Sequence, residues 1–487
     1  MKVGFVSLGC SKNLVDTEKT IGIFKANKYE IVNNPKEAEV IVINTCGFIE
    51  PAKEEAINTI LEMAEYKKKK CKYLIVMGCL VERYKDELAK AISEVDLWIK
   101  YSEYDSLWEE IEDLLSESSN SNKDNSNYRK NSSVESKKKI VEVNRADKEK
   151  NEVSRNEDNN LKNIQVEDNE TANKYNDFWN VEERVISTGE NFAYLKIADG
   201  CSNRCTYCAI PYIRGPQISR KMEDIIKEAN KLVNEGYKEL ILIAQDTTKY
   251  GVDIYGKPRL AELLQELCKI ENLHWIRFLY AYPETIDDEL IKVVKENEKI
   301  CKYFDIPIQH ISDAVLKRMN RQSDGKSIRN LIHKLRKEIP DVVIRTTVMV
   351  GFPGETKEDF EELYNFLEET KFEKLGCFAY SKEDGTPASR IKEQIHPMTK
   401  KSRYNKIMSL QQEISKENLG KRIGKEVEVL IEDKAFDGRT YVGRTYMDVP
   451  EIDGIVYVNS ADKELQLGEF VKGKIIDVSD YDLIVRI

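Results

Sequence analysis

The sequence predicts a multidomain α/β protein with three folded parts: an N-terminal parallel-sheet α/β domain, a partial (β/α)6 barrel and a C-terminal small antiparallel β-barrel. Three observations lead there. Apolar runs of strand length alternate with helical stretches over most of the chain, which is the pattern of βαβ units. A polar tract interrupts that alternation once. Beyond residue 420 the helical stretches stop, and short β-rich runs follow one another between Gly, Asp and Asn.

The elements follow in order. VGFVSLG (3–9), EVIVINT (39–45) and YLIVMG (73–78) read as parallel strands, with PAKEEAINTILEMAEYKKK (51–69) as a crossover helix. They define a domain over 1–116. Residues 117–180 hold mainly Ser, Asn, Lys, Glu and Asp, as in SESSNSNKDNSN. Such a tract buries too little surface to offset its ordering entropy, so a disordered linker is expected. A core over 187–419 comes next. Its candidate strands are AYLKIA (193–198), ELILIAQ (239–245), WIRFLYA (275–281), YFDIPIQ (303–309), VVIRTTVMVGF (342–352) and LGCFAYS (375–381). Eight such units close a full barrel; six leave it open. A stop signal at Gly236 ends the helix after the first strand. One long polar helix is expected over about 398–418. The tail, 420–487, offers five runs: EVEVLIE, TYVGRTY, IDGIVYV, FVKGKIIDV and YDLIVRI.

Composition narrows the function classes. Of 487 residues 41% are hydrophobic, enough for folded cores, and the net charge of −10 argues against a general nucleic-acid binder. No apolar run approaches the roughly 20 residues of a membrane span. The opening MKVGFVSLGC is too short and strand-like for a signal peptide. A cytoplasmic protein with reduced thiols is expected. There, ten cysteines indicate metal or redox chemistry rather than a disulfide framework.

Six of the cysteines fall into two trios. Cys201, Cys205 and Cys208 lie in ADGCSNRCTYCAIP (198–211), on the loop after the first barrel strand. Barrels of this kind carry their active sites at that end of the strands. Three thiolates on a four-iron cluster leave one iron open to a small molecule; the alternative is a zinc knuckle with a distant fourth ligand. Cys10, Cys46 and Cys79 form the other trio. Each follows one of the N-terminal strands, and parallel strands bring their carboxyl ends to one sheet edge. Gly9 and Gly78 precede two of them and permit close backbone approach. Here the alternative is three buried cysteines acting as small hydrophobes. Cys71, Cys268, Cys301 and Cys377 share no pattern and read as structural.

CxxxCxxC with an aromatic before the last cysteine, here Tyr207, closely resembles the signature of the radical SAM superfamily. LGCSKNLVDTE (8–18), Cys46 and Cys79, CSNRCTYC (201–208), VGFPGET (350–356) and the β-rich tail together resemble the methylthiotransferases of that superfamily. The resemblance implies two 4Fe-4S clusters, one on each trio, and S-adenosyl-L-methionine (SAM) at the open iron of Cys201, Cys205 and Cys208. SAM cleavage there would supply a radical able to take hydrogen from an unactivated carbon. The open iron at Cys10, Cys46 and Cys79 would hold sulfur. A sulfur donor and an electron donor are implied as partners, and the tail would be a TRAM domain. Tyr207, Gln245, Arg345, Gly351 and Gly354 are the candidate SAM contacts, although VGFPGET reads equally well as a tight turn. Asp246 is a further polar candidate at a strand end, and His310 reads as a structural histidine.

The family has two branches. One modifies adenosine in transfer RNA. The other adds a methylthio group to the β-carbon of an aspartate in small-subunit ribosomal protein twelve. SLGCSKNLVD, LIAQDTTKYG (242–251), DIPIQHISD (305–313), YSKEDGTPA (380–388) and VGRTYMDVPEIDGIVYV (442–458) resemble the second. Charge points the same way. Residues 421–487 hold ten Lys/Arg against fourteen Asp/Glu, and 10 − 14 gives −4, which suits a basic protein partner better than RNA phosphates. A non-enzymatic two-cluster electron carrier is the more distant alternative. Two features depart from the family pattern: the long polar tract, and Lys100 where a glycine is expected.

Overall fold

A computed structural model describes residues 1–120, 178, 183–460 and 463–487. The linker expected over 117–180 therefore lies almost entirely outside the described residues. The described chain divides into two compact units. One holds Met1–Val185 with the short stretch Tyr212–Arg214; the other holds Ile186–Pro211 and Gly215–Ile487. Among the described residues no helix is long and apolar enough to cross a membrane.

The first unit is a five-stranded parallel sheet. Its strands are β1 (Lys2–Ser7), β2 (Glu30–Ile31), β3 (Val40–Thr45), β4 (Tyr73–Gly78) and β5 (Leu97–Lys100), in the order β2-β1-β3-β4-β5. Sequence periodicity had given β1, β3 and β4; the two edge strands are too short to stand out. Helices α1 (Ser11–Ala26), α2 (Glu50–Ala64) and α3 (Cys79–Ala91) make crossovers, and α4 (Leu107–Asn120) follows β5. All six residues of β3 are buried, as expected of a central parallel strand covered on both faces. In α1 the polar face is buried too: Asn13, Asp16, Thr17, Glu18 and Thr20 are all inaccessible or nearly so. Such a face survives only if its groups are paired. Glu18 takes Arg184 at 2.5 Å and Thr17 donates to Ser7 at 2.9 Å. Lys100 has no need to be glycine: its φ is −69°, and its N–H donates to Glu103 Oε2 at 2.7 Å.

The second unit contains all six expected barrel strands. They are β6 (Phe192–Lys196), β7 (Glu239–Ile243), β8 (Trp275–Phe278), β9 (Tyr303–Gln309), β10 (Val343–Val350) and β11 (Lys374–Ala379). Every pairing is parallel, in two three-stranded sheets, β6-β7-β8 and β9-β10-β11. A bridge from Ile276 to Ile300 joins β8 to the residues before β9. The helices are amphipathic; in Met222–Asn234, for example, Met222, Ile225, Ala229, Leu232 and Val233 face the core at helical spacing. That helix ends as expected at Gly236, whose φ is +110°. The long helix runs from Pro397 to Gly420.

Five strands close the small barrel: β12 (Glu426–Lys434), β13 (Thr440–Arg444), β14 (Val456–Asn459), β15 (Phe470–Val478) and β16 (Leu483–Arg486). Four pairings are antiparallel, but β14 and β16 pair in parallel, so the barrel is not antiparallel throughout. Its side chains meet the amino ends of the barrel strands. Glu239, the first residue of β7, is held between Arg277 and Arg444 at 2.8 Å each, all three buried. Lys374 pairs with Asp448 at 2.8 Å, and the Tyr303 hydroxyl donates to Asp453 at 2.7 Å. Removing one member of such a buried set leaves an uncompensated charge, which costs about 3–5 kcal/mol. The amino ends are thus committed to structure, and the carboxyl ends remain for chemistry.

Two candidate cluster sites at the carboxyl ends of parallel strands

The first site is built by topology. Cys10, Cys46 and Cys79 follow the carboxyl ends of β1, β3 and β4, which are adjacent in the sheet. The thiols lie close enough to act on one another's ionisation: Cys46 responds to Cys79 and Cys10, and Cys79 to Cys10. Burial first, and the neighbouring Cys79 second, push the Cys46 thiol up to about 12. Burial likewise raises Cys79. Gly9 and Gly78 both adopt positive φ, +92° and +106°. A Cβ at Gly9 would stand 2.6 Å from Cys46 Cβ, and one at Gly78 would stand 2.7 Å from the Thr45 carbonyl. Only glycine satisfies both demands.

Residues that the sequence did not single out pin this edge. Asn13 Nδ2 donates to the carbonyls of Leu8 and Thr45, at 3.0 Å each, and so ties the end of β1 to the end of β3. Thr45 Oγ1 donates to Met77 O at 2.7 Å and ties β3 to β4. Arg214 donates to Asn13 Oδ1 at 2.5 Å and to Asp16 Oδ2 at 3.1 Å, with Tyr101 under its guanidinium at 4.4 Å. The only sequence signal was the run of polar residues at Asn13, Asp16, Thr17 and Thr20, spaced like one helix face that pattern reasoning assigns to solvent.

The second site is local. Cys201, Cys205 and Cys208 sit on the loop after β6, and Cys208 responds to the charges of Cys205 and Cys201. Burial pushes the Cys201 thiol up to about 11 and raises Cys208 further. The loop is fastened to the segment after helix Asp313–Arg318. Thr206 N–H donates to Met319 O at 3.0 Å, Thr206 Oγ1 to Arg318 O at 2.8 Å, and Asn320 Nδ2 to Arg204 O at 2.9 Å. Four non-glycine residues around these loops, Arg204, Tyr280, Gln309 and Asn320, have positive φ. Strained backbone of this kind collects where geometry is imposed by function.

The remaining candidates divide. Tyr207 is raised by burial and then by Cys205, which places it at the trio. Gln245 ends the second strand; its Nε2 donates to Asp199 at 2.8 Å, while its buried Oε1 has no partner. Asp246 is fully buried, accepts from Asn203 at 2.8 Å, and is raised by burial. Gly351 and Gly354 have φ of +71° and +79°, and Phe352 N–H donates to Glu355 at 2.9 Å inside the same turn. The turn itself accounts for both glycines. Arg345 stands at the other end of its strand. It pairs with Asp305 at 2.9 Å and faces Asp453 at 3.7 Å, among the groups that close the amino ends, so it is no longer a candidate SAM contact. His310 is buried: its Nδ1 accepts from Ser312 N–H at 3.0 Å, its Nε2 has no partner, and burial pulls it down to about 3. Cys71, Cys301 and Cys377 are buried singly, and Cys268 is half-buried. Among the described residues no three His, Cys, Asp or Glu side chains close on a point as one metal ion requires.

Three family models match the chain: an uncharacterized protein family, UPF0004, over residues 2–100, the Radical SAM superfamily over 195–367, and the TRAM domain over 423–487. Ribosomal protein uS12 methylthiotransferase RimO from Alkaliphilus oremlandii is 59% identical over 484 residues, covering 99% of this chain and 98% of that protein. Its counterpart from Acetivibrio thermocellus is 49% identical over 487 residues, covering 99% and 97%. Among solved structures, the radical SAM methyltransferase TsrM from Kitasatospora setae, with cobalamin and a 4Fe-4S cluster bound, matches with a TM-score of 0.52 at 13% identity. It covers 80% of this chain and 76% of that one, which supports the fold alone. With full-length identity of this order, the chain belongs to the RimO family of ribosomal protein uS12 methylthiotransferases.

Proposed function

We infer that the chain is a radical SAM methylthiotransferase that adds a methylthio group to the β-carbon of an aspartate in ribosomal protein uS12. One observation carries the mechanistic part. Two separate cysteine trios each stand at the carboxyl ends of parallel strands, with thiols near enough to feel one another's charge. The donor chemistry fits iron–sulfur clusters. The thiols of Cys46 and Cys201 are held near 12 and 11 and are protonated without metal, so binding must expel protons in favour of thiolate–iron bonds.

Cys201, Cys205 and Cys208 would hold one 4Fe-4S cluster and leave an iron for SAM; Cys10, Cys46 and Cys79 would hold a second, with an iron for sulfur. The clusters and SAM, when bound, supply the electron, the hydrogen-abstracting radical and the methylated sulfur. The chain does the placing. Tyr207 lies against Cys205, and the unpaired Oε1 of Gln245 offers a buried acceptor at the end of β7. Gly351 and Gly354 shape the turn after β10 and stay candidate SAM contacts. The acidic small barrel, with net charge −4 from ten basic and fourteen acidic residues, suits a basic protein substrate. A sulfur donor and an electron donor complete the partners, and the cytoplasm is the expected place of work.

The test is a competition assay. The protein is reconstituted anaerobically and given reductant, SAM and sulfide, with uS12 and unmodified transfer RNA offered in parallel. Mass spectrometry should find one methylthio group on an aspartate of uS12 and none on the RNA. Modified adenosine would move the chain to the other branch while leaving the two-cluster chemistry intact. No deoxyadenosine from SAM would overturn the enzyme reading.

A further inference from the structure

Asp246 stands just past the end of β7, and no part of it reaches solvent. Its carboxylate is shared between three loops. Oδ1 closes its own turn: it accepts from Thr248 Oγ1 at 2.6 Å, from Thr248 N–H at 3.1 Å and from Lys249 N–H at 3.3 Å. Thr248 Oγ1 in turn accepts from Tyr282 N–H at 3.2 Å, in the loop after β8. Oδ2 accepts from Asn203 Nδ2 at 2.8 Å. Asn203 is the middle residue between Cys201 and Cys205, and Ser202 and Arg204 on either side of it are exposed. Its own oxygen is taken by Lys249 Nζ, which donates to Asn203 Oδ1. The Asn203 amide is therefore gripped at both ends, and in one orientation only. An ammonium can only donate. Donors on both oxygens of Asp246 leave no place for a proton, so the carboxylate can only accept. An amide between the two must turn its oxygen to Lys249 and its nitrogen to Asp246. The hydrogen bonds run one way, from Lys249 to Asn203 to Asp246, with a charge assisting each end.

We propose that Asp246 and Lys249 are positioning residues, which clamp Asn203 and so set the course of the loop that carries Cys201 and Cys205. The proposal rests on reading Cys201, Cys205 and Cys208 as cluster ligands. The rival role for Asp246 is to cap its own turn and nothing more. The two roles differ at one atom: the turn uses Oδ1 alone, and the clamp needs Oδ2 as well. Asp246→Asn can still close the turn through its oxygen, but its nitrogen then faces the nitrogen of Asn203, two donors with no acceptor between them. Asn203→Asp sets two carboxylates against each other. Made together, the two changes restore every contact. The new amide at 246 donates to the new carboxylate at 203, whose other oxygen still takes Lys249.

The experiment uses the full chain with Cys10, Cys46 and Cys79 changed to Ala, so that a single cluster is observed. On that background Asp246→Asn, Asn203→Asp, the two together, and Lys249→Met are compared. Iron content, the EPR spectrum of the reduced cluster with SAM, and the rate of deoxyadenosine formation per cluster are read. Asp246→Asn and Asn203→Asp should each lower that rate about tenfold or more and shift the spectrum, since a small misplacement of reacting groups costs up to about 100-fold. The double variant should return to within about threefold of the background, with its spectrum restored. Lys249→Met, which frees one end of the amide, should lose about threefold. Poor folding alone would lower the number of clusters but not the spectrum or the rate of each. If the background chain takes up no four-iron cluster or cleaves no SAM, the reading of the trio fails and the proposal falls with it. If it does both, and Asp246→Asn keeps the full rate per cluster, Asp246 only caps its turn and the clamp is overturned while the trio stands. A double variant no better than the poorer single one overturns it too. If Asp246→Asn or Asn203→Asp does not fold, Lys249→Met decides: a full rate with an unshifted spectrum overturns the clamp.

Discussion

The two cysteine trios reach similar ends by opposite routes. Cys201, Cys205 and Cys208 lie within eight residues on one loop, held by hydrogen bonds to residues 318–320, to Asp246 and to Ala388. Cys10, Cys46 and Cys79 are spread over 70 positions and meet only because β1, β3 and β4 are neighbours in a parallel sheet. A local site depends on its loop; a distributed site depends on a whole domain being correctly folded. The two should therefore fail differently.

The largest effect separates them chemically. Changing Cys201, Cys205 and Cys208 to Ala should remove about half of the roughly eight irons that two four-iron clusters hold and abolish SAM cleavage. Changing Cys10, Cys46 and Cys79 to Ala should remove a similar share of iron yet leave deoxyadenosine formation in place, with methylthio transfer lost. Iron analysis and deoxyadenosine chromatography on both triple variants check this. Equal loss of SAM cleavage in both would end the division of labour.

Asn13→Ala tests the distributed site. The change orphans the carbonyls of Leu8 and Thr45, and an unsatisfied buried carbonyl costs about 1–3 kcal/mol. Urea unfolding should show a loss of about that size. Iron at the first trio should fall, while the second trio still supports SAM cleavage.

Histidine titration should act on the second unit alone. All four histidines lie beyond residue 270, in the second unit. Burial holds His310 down to about 3, below the 6.5 of an unfolded histidine. The stability it carries is complete above pH 6.5 and drains as the pH falls toward 3. At pH 5 the loss is about 2 kcal/mol, from 1.5 units at 1.36 kcal/mol each. The second unit should therefore lose about that much between pH 7 and pH 5 in denaturant titrations. His310→Gln should flatten the dependence.

How much of this was legible in the sequence follows from where the information lies. CxxxCxxC carries its geometry in its spacing, so the local trio could be read directly. The distributed trio could be read only after the strands were placed, because topology converts three distant cysteines into neighbours. Arg345 was misread for want of one coordinate: its position along β10. Alternation identifies a strand but not which end of it a residue serves, and Asp305 and Asp453 place Arg345 with the amino ends. The parallel closure of β14 on β16 was hidden because alternation has no direction. Asn13, Asn203 and Asn320 escaped for a different reason. Each acts through partners distant in sequence, and nothing in a polar residue announces which partner it will meet.

The smallest expected effect bears on the local site. Asn320 donates to Arg204 O at 2.9 Å and itself has φ of +57°, a conformation asparagine tolerates better than alanine does. Asn320→Ala removes one exposed hydrogen bond, worth about 0.5 kcal/mol, and adds modest backbone strain. Global stability should change little, since Thr206 still holds the loop through Met319 and Arg318. Iron at the second trio should remain near its full complement, and the change should surface instead as slower cluster uptake during reconstitution, followed by absorbance. Were Asn320→Ala to empty the second trio as fully as Asn13→Ala weakens the first, the local site would depend on distant packing as much as the distributed one does. The contrast between them would then lie in the sequence spacing and not in the physics.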